Sequence, residues 1–512
     1  MEIGLLSLLW ISLCGAIFVF LFSSFTSRKL PPGPPAAPII GNLLWLPRSL
    51  KIQNLESVIH NLRARYGPIV TLRIGSVPAI FITDGSLAHK ALIEHGATFS
   101  DRPVPFPAAR HLSSNQHIIS AAAYGPIWRL LRRNLISETL HPSRVRLFAD
   151  GRRWAFDILA DRLRAQSETD GGIVVPRDSF QFAIFCLIVL MCFGEKLDEK
   201  VIREIEIAQR NFLLHAGKLT FLPCLPAIAG YFFRKKIRTA TEFRRKQQEV
   251  FCPLIKDRKE RKKEINPRSE IPICSYLDSL LEIQLPEDGG RLLNEDELVA
   301  LCSEFLNAGT DTTSTSLQWI MAELVKNQAI QFKLWEEIKT QEANSEDFEK
   351  MSYLRAVIME GLRLHPPGHF VLPHSVTEDI KFEGYLIPKN APINFSVVEM
   401  ALDEKIWEEA AEFKPERFMK GGSAEKMDIT GSREIKMMPF GAGRRICPGL
   451  GLAIFHLEYF VANLVKEFEW INVEGEEIDL SEKLEFTVVM KNSLRARLVP
   501  RKEINSFRAG EV

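Results

Sequence analysis

The chain has 512 residues, which is long enough to bury a large core. Its 65 Lys and Arg are balanced by 64 Asp and Glu, so the net charge indicates neither a nucleic-acid-binding protein nor an acidic tail. The 8 cysteines are scattered through apolar stretches without CxxC pairs. This distribution is typical of reduced thiols in a reducing compartment and excludes a dense disulfide framework.

The N-terminus begins with a long uncharged stretch. The run "IGLLSLLWISLCGAIFVFLF" supplies the roughly 20 apolar residues that a bilayer-spanning helix requires. A cleaved signal peptide is the alternative, but Arg28 and Lys29 follow the apolar run and no small-residue cleavage site ends it. The sequence favours a transmembrane anchor over residues 1–27, with Arg28, Lys29 and everything after residue 30 on the cytosolic side.

After the anchor, the pattern predicts a short hinge and one large domain. Prolines in "LPPGPPAAPIIGN" fix φ, so residues 28–42 are expected to form a stiff hinge. A hairpin is predicted over 69–83, and short β-like stretches lie near 370–399 and 484–499. Apolar spacings of three and four predict helices over 124–137, 177–193, 201–215, 235–262, 295–326, 328–340, 352–364 and 448–466. Without repeats or long polar linkers, residues 43–512 should form a single, mainly α domain with small β-sheets.

Two segments suggest surface roles. Residues 234–263 contain 13 basic and 4 acidic side chains; a solvated helix face is favoured over a partner or lipid-headgroup site. The preceding "FLPCLPAIAGYFF" (221–233) is apolar and interrupted by Pro and Gly. A buried loop and a membrane-dipping loop both fit it.

The segment "FLNAGTDTTSTSLQW" (305–319) places Ala308 and Gly309 one turn before Asp311 and Thr312 in an otherwise apolar helix. Asp-Thr-Thr alone is typical of a helix N-cap, but the apolar periodicity continues on both sides. Small residues open room, and the Thr312 hydroxyl can bond the Ala308 carbonyl and loosen the helix for a ligand or water.

A lone cysteine stands between a glycine-rich, doubly basic loop and a helix start in "PFGAGRRICPGLGLAIFHLEY" (439–459). Basic residues and backbone N–H groups stabilise a thiolate at Cys447. A cysteine protease would need a His base and zinc would need further ligands; only His456 is close in sequence. A metal held by one thiolate and four non-protein ligands, haem iron, fits this pattern.

The same segment resembles the haem-binding signature of the cytochrome P450 family, F-x-x-G-x-R-x-C-x-G. Five positions match: Phe440, Gly443, Arg445, Cys447 and Gly449. The resemblance implies that Cys447 ligates the iron of haem b, that Phe440 packs near the sulfur, and that Arg445 pairs with a haem propionate.

Further motifs follow in the family's order. Glu360 and Arg363 in "YLRAVIMEGLRLHPP" resemble its E-x-x-R motif, and Arg417 in "FKPERF" corresponds to the third member of a charged lock with a folding role. Three residues depart from the pattern that often precedes this lock: Leu402, Glu404 and Ala410.

The distal segment is similar to the family's oxygen-activating motif, [A/G]-G-x-[D/E]-T-[T/S]. The resemblance implies that Thr312 hydrogen-bonds dioxygen and that Asp311 relays protons to it. Trp128 and Arg132, four apart, resemble the family's propionate clamp, although this spacing alone often gives only a cation–π contact. His374 aligns with another propionate-binding position.

The resemblance implies a microsomal plant-type member with haem buried between the 295–326 helix and the helix beginning near Pro448. It implies a monooxygenase in the endoplasmic reticulum membrane that uses O₂, NADPH and a small lipophilic substrate. Because no nucleotide-binding fingerprint occurs in the chain, electrons should come from a partner. The resemblance implies that this partner is a flavoprotein reductase in the same membrane, with Arg129, Arg133 and the 234–263 run as candidate docking sites. The alternatives are a haem-thiolate isomerase or dehydratase, and a non-catalytic haem sensor or electron carrier. The family's pocket-lining positions fall at 104–123, 212–222, Leu301, Phe305, 369–372 and 486–488.

Overall fold

A computed structural model of the chain describes residues 10, 12–17, 30–37, 41–42, 55–75, 77–105, 107–220, 230–264, 275–339, 348 and 350–501. Most of the predicted anchor lies outside these residues; Trp10 and residues 12–17 are helical and exposed. Within the described part, no helix is long and apolar enough to cross a membrane. Residues 221–229 of the predicted apolar loop also lie outside the described residues.

Helices make up most of the described chain. They are α1 Leu55–Tyr66, α2 Gly85–His89, α3 Pro107–Leu112, α4 Pro126–Asn134, α5 Pro142–Arg146, α6 Ala149–Thr169, α7 Arg177–Phe193, α8 Glu199–Thr220, α9 Gly230–Glu264, α10 Tyr276–Leu280, α11 Glu295–Lys326, α12 Gln328–Ile338, α13 Ser352–Leu364, α14 Val397–Ala401 and α15 Leu450–Glu467. All predicted helical stretches are confirmed, most of them to within a few residues. The longer helices α1 and α6 were not predicted, and neither were the short helices α2, α3, α5, α10 and α14.

The strands form small sheets around this helical body. They are β1 Ile69–Ile74, β2 Val77–Ile82, β3 Ile173–Val174, β4 Gln284–Leu285, β5 Arg291–Leu292, β6 Ile380–Phe382, β7 Tyr385–Ile387, β8 Ile393–Phe395, β9 Phe468–Asn472, β10 Glu482–Leu484, β11 Val488–Met490 and β12 Ala496–Pro500. The predicted hairpin is confirmed as β1–β2, with Ile69 opposite Ile82, and β8 pairs parallel to β2. Strand β12 lies between β3 and β9, and β4–β5, β6–β7 and β10–β11 are two-stranded.

Helix α11 runs through the middle of the core. Its 32 residues start at a capping box in which Asn294 and Glu297 bond each other's backbone N–H groups. It packs against α7, which is apolar on all faces and almost wholly buried. Helix α13 also approaches closely, because a Cβ on Gly361 would lie 2.4 Å from Ile320. The centre of α11 is therefore held in a fixed position.

The charged lock predicted from the sequence is assembled. Glu360 accepts from Arg363 Nε at 2.7 Å and Nη2 at 2.8 Å, and both side chains are fully buried. Arg417 Nε adds a contact to the same carboxylate at 3.2 Å. Arg363 also donates to the carbonyls of Ala401 and Ala410 at 2.8 Å. The loop that departs from the family pattern is thus still tied to the lock through its backbone.

The described part of the predicted hinge lies along β1. Thr71 N–H donates to the Pro32 carbonyl at 2.8 Å, and Asn42 N–H donates to the Arg73 carbonyl at 2.6 Å. A Cβ at Gly33 would lie 1.9 Å from the Thr71 oxygen, so only glycine allows this approach. The described part of the hinge is therefore attached to β1 both at Pro32–Gly33 and at Asn42.

Candidate haem and oxygen site

Cys447 lies between a single 3-10 turn, Gly443–Arg445, and the start of α15. Its backbone N–H donates to the Phe440 carbonyl at 2.9 Å, which closes the loop. Gly443 has φ +69° and a Cβ there would meet the Leu92 carbonyl at 2.1 Å, so glycine is required by the chain behind the loop. Gly449 adjoins the thiol, with its Cβ position 3.8 Å from Sγ.

The surroundings of the thiol differ from the simple expectation of a basic loop. Burial raises the pKa of Cys447, while the Gly449 N–H and the charge of Arg132 lower it less strongly. Of the two adjacent arginines, Arg444 is exposed and bonds the Tyr124 hydroxyl, and Arg445 bonds carbonyls elsewhere. The neighbouring protein groups alone therefore favour the protonated form of Cys447. A metal cation coordinated by the sulfur would deprotonate it.

Two of the predicted propionate ligands stack beside this loop. The guanidinium of Arg445 lies 4.5 Å and that of Arg132 lies 5.5 Å from the Trp128 ring centroid. Arg445 donates to the carbonyls of Ser100 and Ala122 at 2.7 Å. The Trp128 indole N–H is buried and has no acceptor among the described residues. A carboxylate placed here would meet an unpaired donor between two cations.

Arg102 is a third member of this group that the sequence did not reveal. Its Nε donates to the Ser120 carbonyl at 2.8 Å, and Nη1 donates to the Leu372 and Pro373 carbonyls at 2.9 and 2.8 Å. Burial and then the charge of Arg445 lower the pKa of Arg102 to about 9. The local sequence "SDRP" contains no spaced motif that would identify Arg102, because Arg102 contacts its partners only in the folded chain. Buried cations bonded to carbonyls fit a group that brings its own negative charges.

His374 occupies the predicted region but presents an unexpected atom. Its Nδ1 lies 2.7 Å from the Phe99 carbonyl, so Nδ1–H is the donor and Nε2 carries a lone pair. Burial, followed by the charge of Arg102, lowers the pKa of His374 to about 3. This imidazole can donate to a propionate only after it takes up a second proton.

The distal motif opens one face of α11. Ala308 is exposed and Thr312 is half-exposed, whereas the turns on either side are buried. The Thr312 hydroxyl donates to the Ala308 carbonyl at 2.7 Å, as predicted. Gly309 also has a packing role: a Cβ there would lie 3.0 Å from Ile188, so this glycine permits α7 to pack closely. Ala308 and Thr312 thus form the groove.

Asp311 faces a small, separate cleft whose lining includes the polar side chains of Gln181, Arg210 and Glu485. Gln181 donates to its carboxylate at 3.3 Å, and Arg210 lies 3.7 Å away. Glu485 lies across the pocket and bonds Arg177 at 2.8 Å. Burial raises the pKa of Asp311 to about 6, against the charge of Arg210. Neighbouring helix residues point about 100° apart, so Asp311 faces this pocket while Thr312 faces the groove.

Residues 31–498 match the family model described as Cytochrome P450. Cytochrome P450 89A9 of Arabidopsis thaliana is 48% identical over 98% of this chain and 100% of the relative. Iridoid oxidase of Catharanthus roseus is 31% identical, with 94% and 93% covered, and geraniol 8-hydroxylase of Swertia mussotii is 30% identical, with 94% and 95% covered. A solved zebrafish cytochrome P450 with abiraterone has the same fold, with a TM-score of 0.69 at 21% identity over 88% of this chain and 100% of that one.

Proposed function

The chain belongs to the cytochrome P450 family, a family of haem enzymes that use O₂, and we propose that it is a membrane-anchored monooxygenase acting on a small lipophilic substrate. One oxygen atom enters the substrate, the other leaves as water, and NADPH supplies the electrons through a reductase. The observation that carries this proposal is the half-buried Cys447 at the start of α15, in the same domain as the Ala308–Thr312 groove of α11.

The proximal residues fit a haem group. When bound, haem supplies the oxygen-activating chemistry. We assign Cys447 as the ligand, and Arg102, Arg132, Arg445 and the Trp128 indole N–H as the groups that hold the two carboxylates. Phe440 is half-buried against the core beside the loop, which supports its packing role.

On the distal side, we assign Thr312 and Asp311 to proton delivery. Thr312 keeps its hydroxyl at the groove through the bond to Ala308, so it can turn toward dioxygen without unfolding the helix. Asp311, with a pKa near 6 in its polar pocket, takes protons from that pocket and passes them toward Thr312. A general acid works best when its pKa is close to the working pH.

Electrons should come from a partner protein, because the chain has no nucleotide-binding Gly-rich fingerprint. Arg129 and Arg133 are exposed on α4, the helix that also carries Trp128 and Arg132. We assign this face to a flavoprotein reductase of the same membrane. Removing residues 1–27 should move the protein from the microsomal pellet to the supernatant, whereas an unchanged distribution would contradict the endoplasmic reticulum anchor.

Apolar side chains support a lipophilic substrate. Leu372 is 57% and Phe486 is 47% exposed, and both lie at predicted pocket-lining positions. Among the relatives are proteins named geraniol 8-hydroxylase and iridoid oxidase. We infer a hydrocarbon-rich substrate of modest size, which is the usual content of an apolar pocket.

The test uses the full-length protein in membranes with a reductase. NADPH oxidation should rise in step with an oxygenated product across a panel of lipophilic compounds, and Cys447→Ser should abolish both that product and the carbon monoxide spectrum of the reduced parent. Turnover of a peroxide substrate without reductase would instead indicate an isomerase or dehydratase. Stable haem with no turnover would indicate a sensor or electron carrier.

A further inference from the structure

A loop between α3 and α4 touches the distal helix on one side and the propionate arginines on the other. We call residues 114–122 the clasp. It begins with Ser114, Asn115 and Gln116 at φ 46°, 57° and 68°, a left-handed run that non-glycine residues adopt only when contacts hold it. Ser114 Oγ donates to Asp296 at 2.6 Å and His117 Nδ1 lies 2.6 Å from Glu297, both on α11.

The strongest attachment of the clasp is Glu304, one turn before Ala308 on α11. Its two carboxylate oxygens accept the backbone N–H groups of Ile119 at 2.8 Å and Ser120 at 2.7 Å. Burial raises the pKa of Glu304, and the Ser120 side chain together with the two N–H groups opposes that effect. The Glu304 side chain therefore acts inside the protein, on the backbone of the clasp and on the Ser120 side chain.

The opposite face of the clasp holds two arginines. The Ile119 carbonyl accepts from Arg445 at 3.3 Å and the Ala122 carbonyl accepts from Arg445 at 2.7 Å. The Ser120 carbonyl accepts from Arg102 at 2.8 Å. The Ile119 and Ser120 amides thus face α11, and the Ile119, Ser120 and Ala122 carbonyls face the two arginines.

One peptide unit connects the two sides directly. Ser120 N–H and Ile119 C=O belong to the same planar, trans peptide, so they point in opposite directions and turn together. Glu304 binds one end of this plane and Arg445 the other. The adjoining peptide presents the Ser120 carbonyl to Arg102.

We propose that Glu304 is a positioning residue for the haem propionates: it fixes the peptide planes of the clasp, and their carbonyls aim Arg102 and Arg445. This inference rests on the proposed assignment of those arginines to the propionates. Under this proposal Glu304, an acidic residue of helix α11, contributes to retention of the haem.

The test compares Glu304→Gln with Asp296→Asn in the haem-loaded protein. Gln is nearly isosteric with Glu, but its NH₂ group would face one N–H group of the clasp in place of an acceptor oxygen. Asp296 bonds the Ser114 hydroxyl and contacts none of the peptide units whose carbonyls bond Arg102 or Arg445. Haem transfer to apomyoglobin should accelerate about fivefold in Glu304→Gln, the effect of one lost hydrogen bond, with little change in Asp296→Asn. The resonance Raman propionate-bending band should shift in Glu304→Gln alone.

The Arg445→Leu variant distinguishes the role proposed for Glu304 from the assignment of the arginines to the haem propionates, on which that role rests. Unchanged haem transfer in Arg445→Leu would reject the propionate assignment itself. Faster transfer in Arg445→Leu with a parental rate and Raman band in Glu304→Gln would reject only the role of Glu304. Equal acceleration in Glu304→Gln and Asp296→Asn would show general loosening of the loop and would also overturn the inference.

Discussion

Thr312 is the residue whose geometry most directly predicts a kinetic effect. Its hydroxyl is held 2.7 Å from the Ala308 carbonyl in the open groove. Thr312→Ala should keep its haem and its reduced carbon monoxide spectrum, but it should divert electrons to hydrogen peroxide because proton delivery is disturbed. The ratio of peroxide to product per NADPH measures this. Thr312→Ser, which keeps the hydroxyl, should remain coupled, and parental coupling in Thr312→Ala would remove the assigned role.

The raised pKa of Asp311 predicts that the rate of product formation depends on pH. With a pKa raised to about 6, its protonated fraction falls as pH rises through 6, so product formation in the parent should decline across that range. Asp311→Asn should be slower by about 10²-fold, the usual minimum for a lost general acid, and should lack the inflection. Rates from pH 5.5 to 8.5 with Asp311→Glu as the control check this.

The same shift predicts the effect of Asp311 on stability. A carboxyl with a raised pKa loses stability as it ionises, so the cost is absent at low pH and grows as pH rises from 3.8 toward 6. Asp311→Asn should therefore unfold at a higher temperature than the parent at pH 7.5, though it is the weaker catalyst. A lower midpoint would contradict the burial argument.

At the scale of elements, the lock joins α13 to the segment that precedes the cysteine loop. Glu360→Gln leaves two buried guanidiniums, Arg363 and Arg417, without their carboxylate. The free energy of unfolding in urea should fall by about 3–5 kcal/mol. Lys333→Ala is the matched control, because its pair with Glu416 is 53% and 54% exposed and should cost below about 1 kcal/mol. Similar losses in both variants would refute the lock.

His369 joins its own loop to strand β10 and helix α1. Its imidazole lies 2.8 Å from Glu482 of β10 and 3.6 Å from Glu56 of α1. Burial lowers the pKa of His369, but the two carboxylates outweigh it and raise that pKa to about 9. Since the value lies above the unfolded 6.5, the stabilisation is complete below pH 6.5 and disappears as pH rises through 9.

The melting midpoint of the parent should therefore fall more steeply between pH 7 and 10 than that of His369→Gln. His60→Gln provides the comparison, because His60 also contacts a glutamate but is 70% exposed. A parental slope in His369→Gln would show that the three elements are joined by other contacts.

Elements were predictable where one residue pattern determined them. The 295–326 helix matched because its Asn294 cap and its apolar periodicity agree. Helix α6 was missed although Ala155, Phe156, Leu159 and Leu163 are buried at helical spacing, since the charged residues among them obscure the stripe. Strand β9 follows α15 without a break, so no turn residue announces it.

At the scale of the whole molecule, sequence motifs located the reacting groups but not the contacts between distant segments. Cys447, Thr312 and the lock were predictable because each lies within a short, spaced pattern. Arg102 and Glu304 were not, because their partners lie 270 and 185 positions away and are backbone atoms, which leave no trace in residue type. The packing of Gly309 against α7 was likewise not predictable, because it depends on the tertiary fold.

The arrangement of charge across the molecule leads to a last prediction. Arg102, Arg132 and Arg445 are buried or half-buried close together and bond carbonyls, so the protein carries concentrated positive charge that the haem carboxylates are expected to neutralise. Haem binds the folded chain, and about 4 kcal/mol of stabilisation is expected at a thousandfold excess over Kd. With about 2.1 cal/mol/K of unfolding entropy per residue, that corresponds to a midpoint shift of roughly 4 °C. Calorimetry with and without haem measures the shift, and Arg445→Leu should reduce it; an equal shift in both proteins would show that these cations take no part.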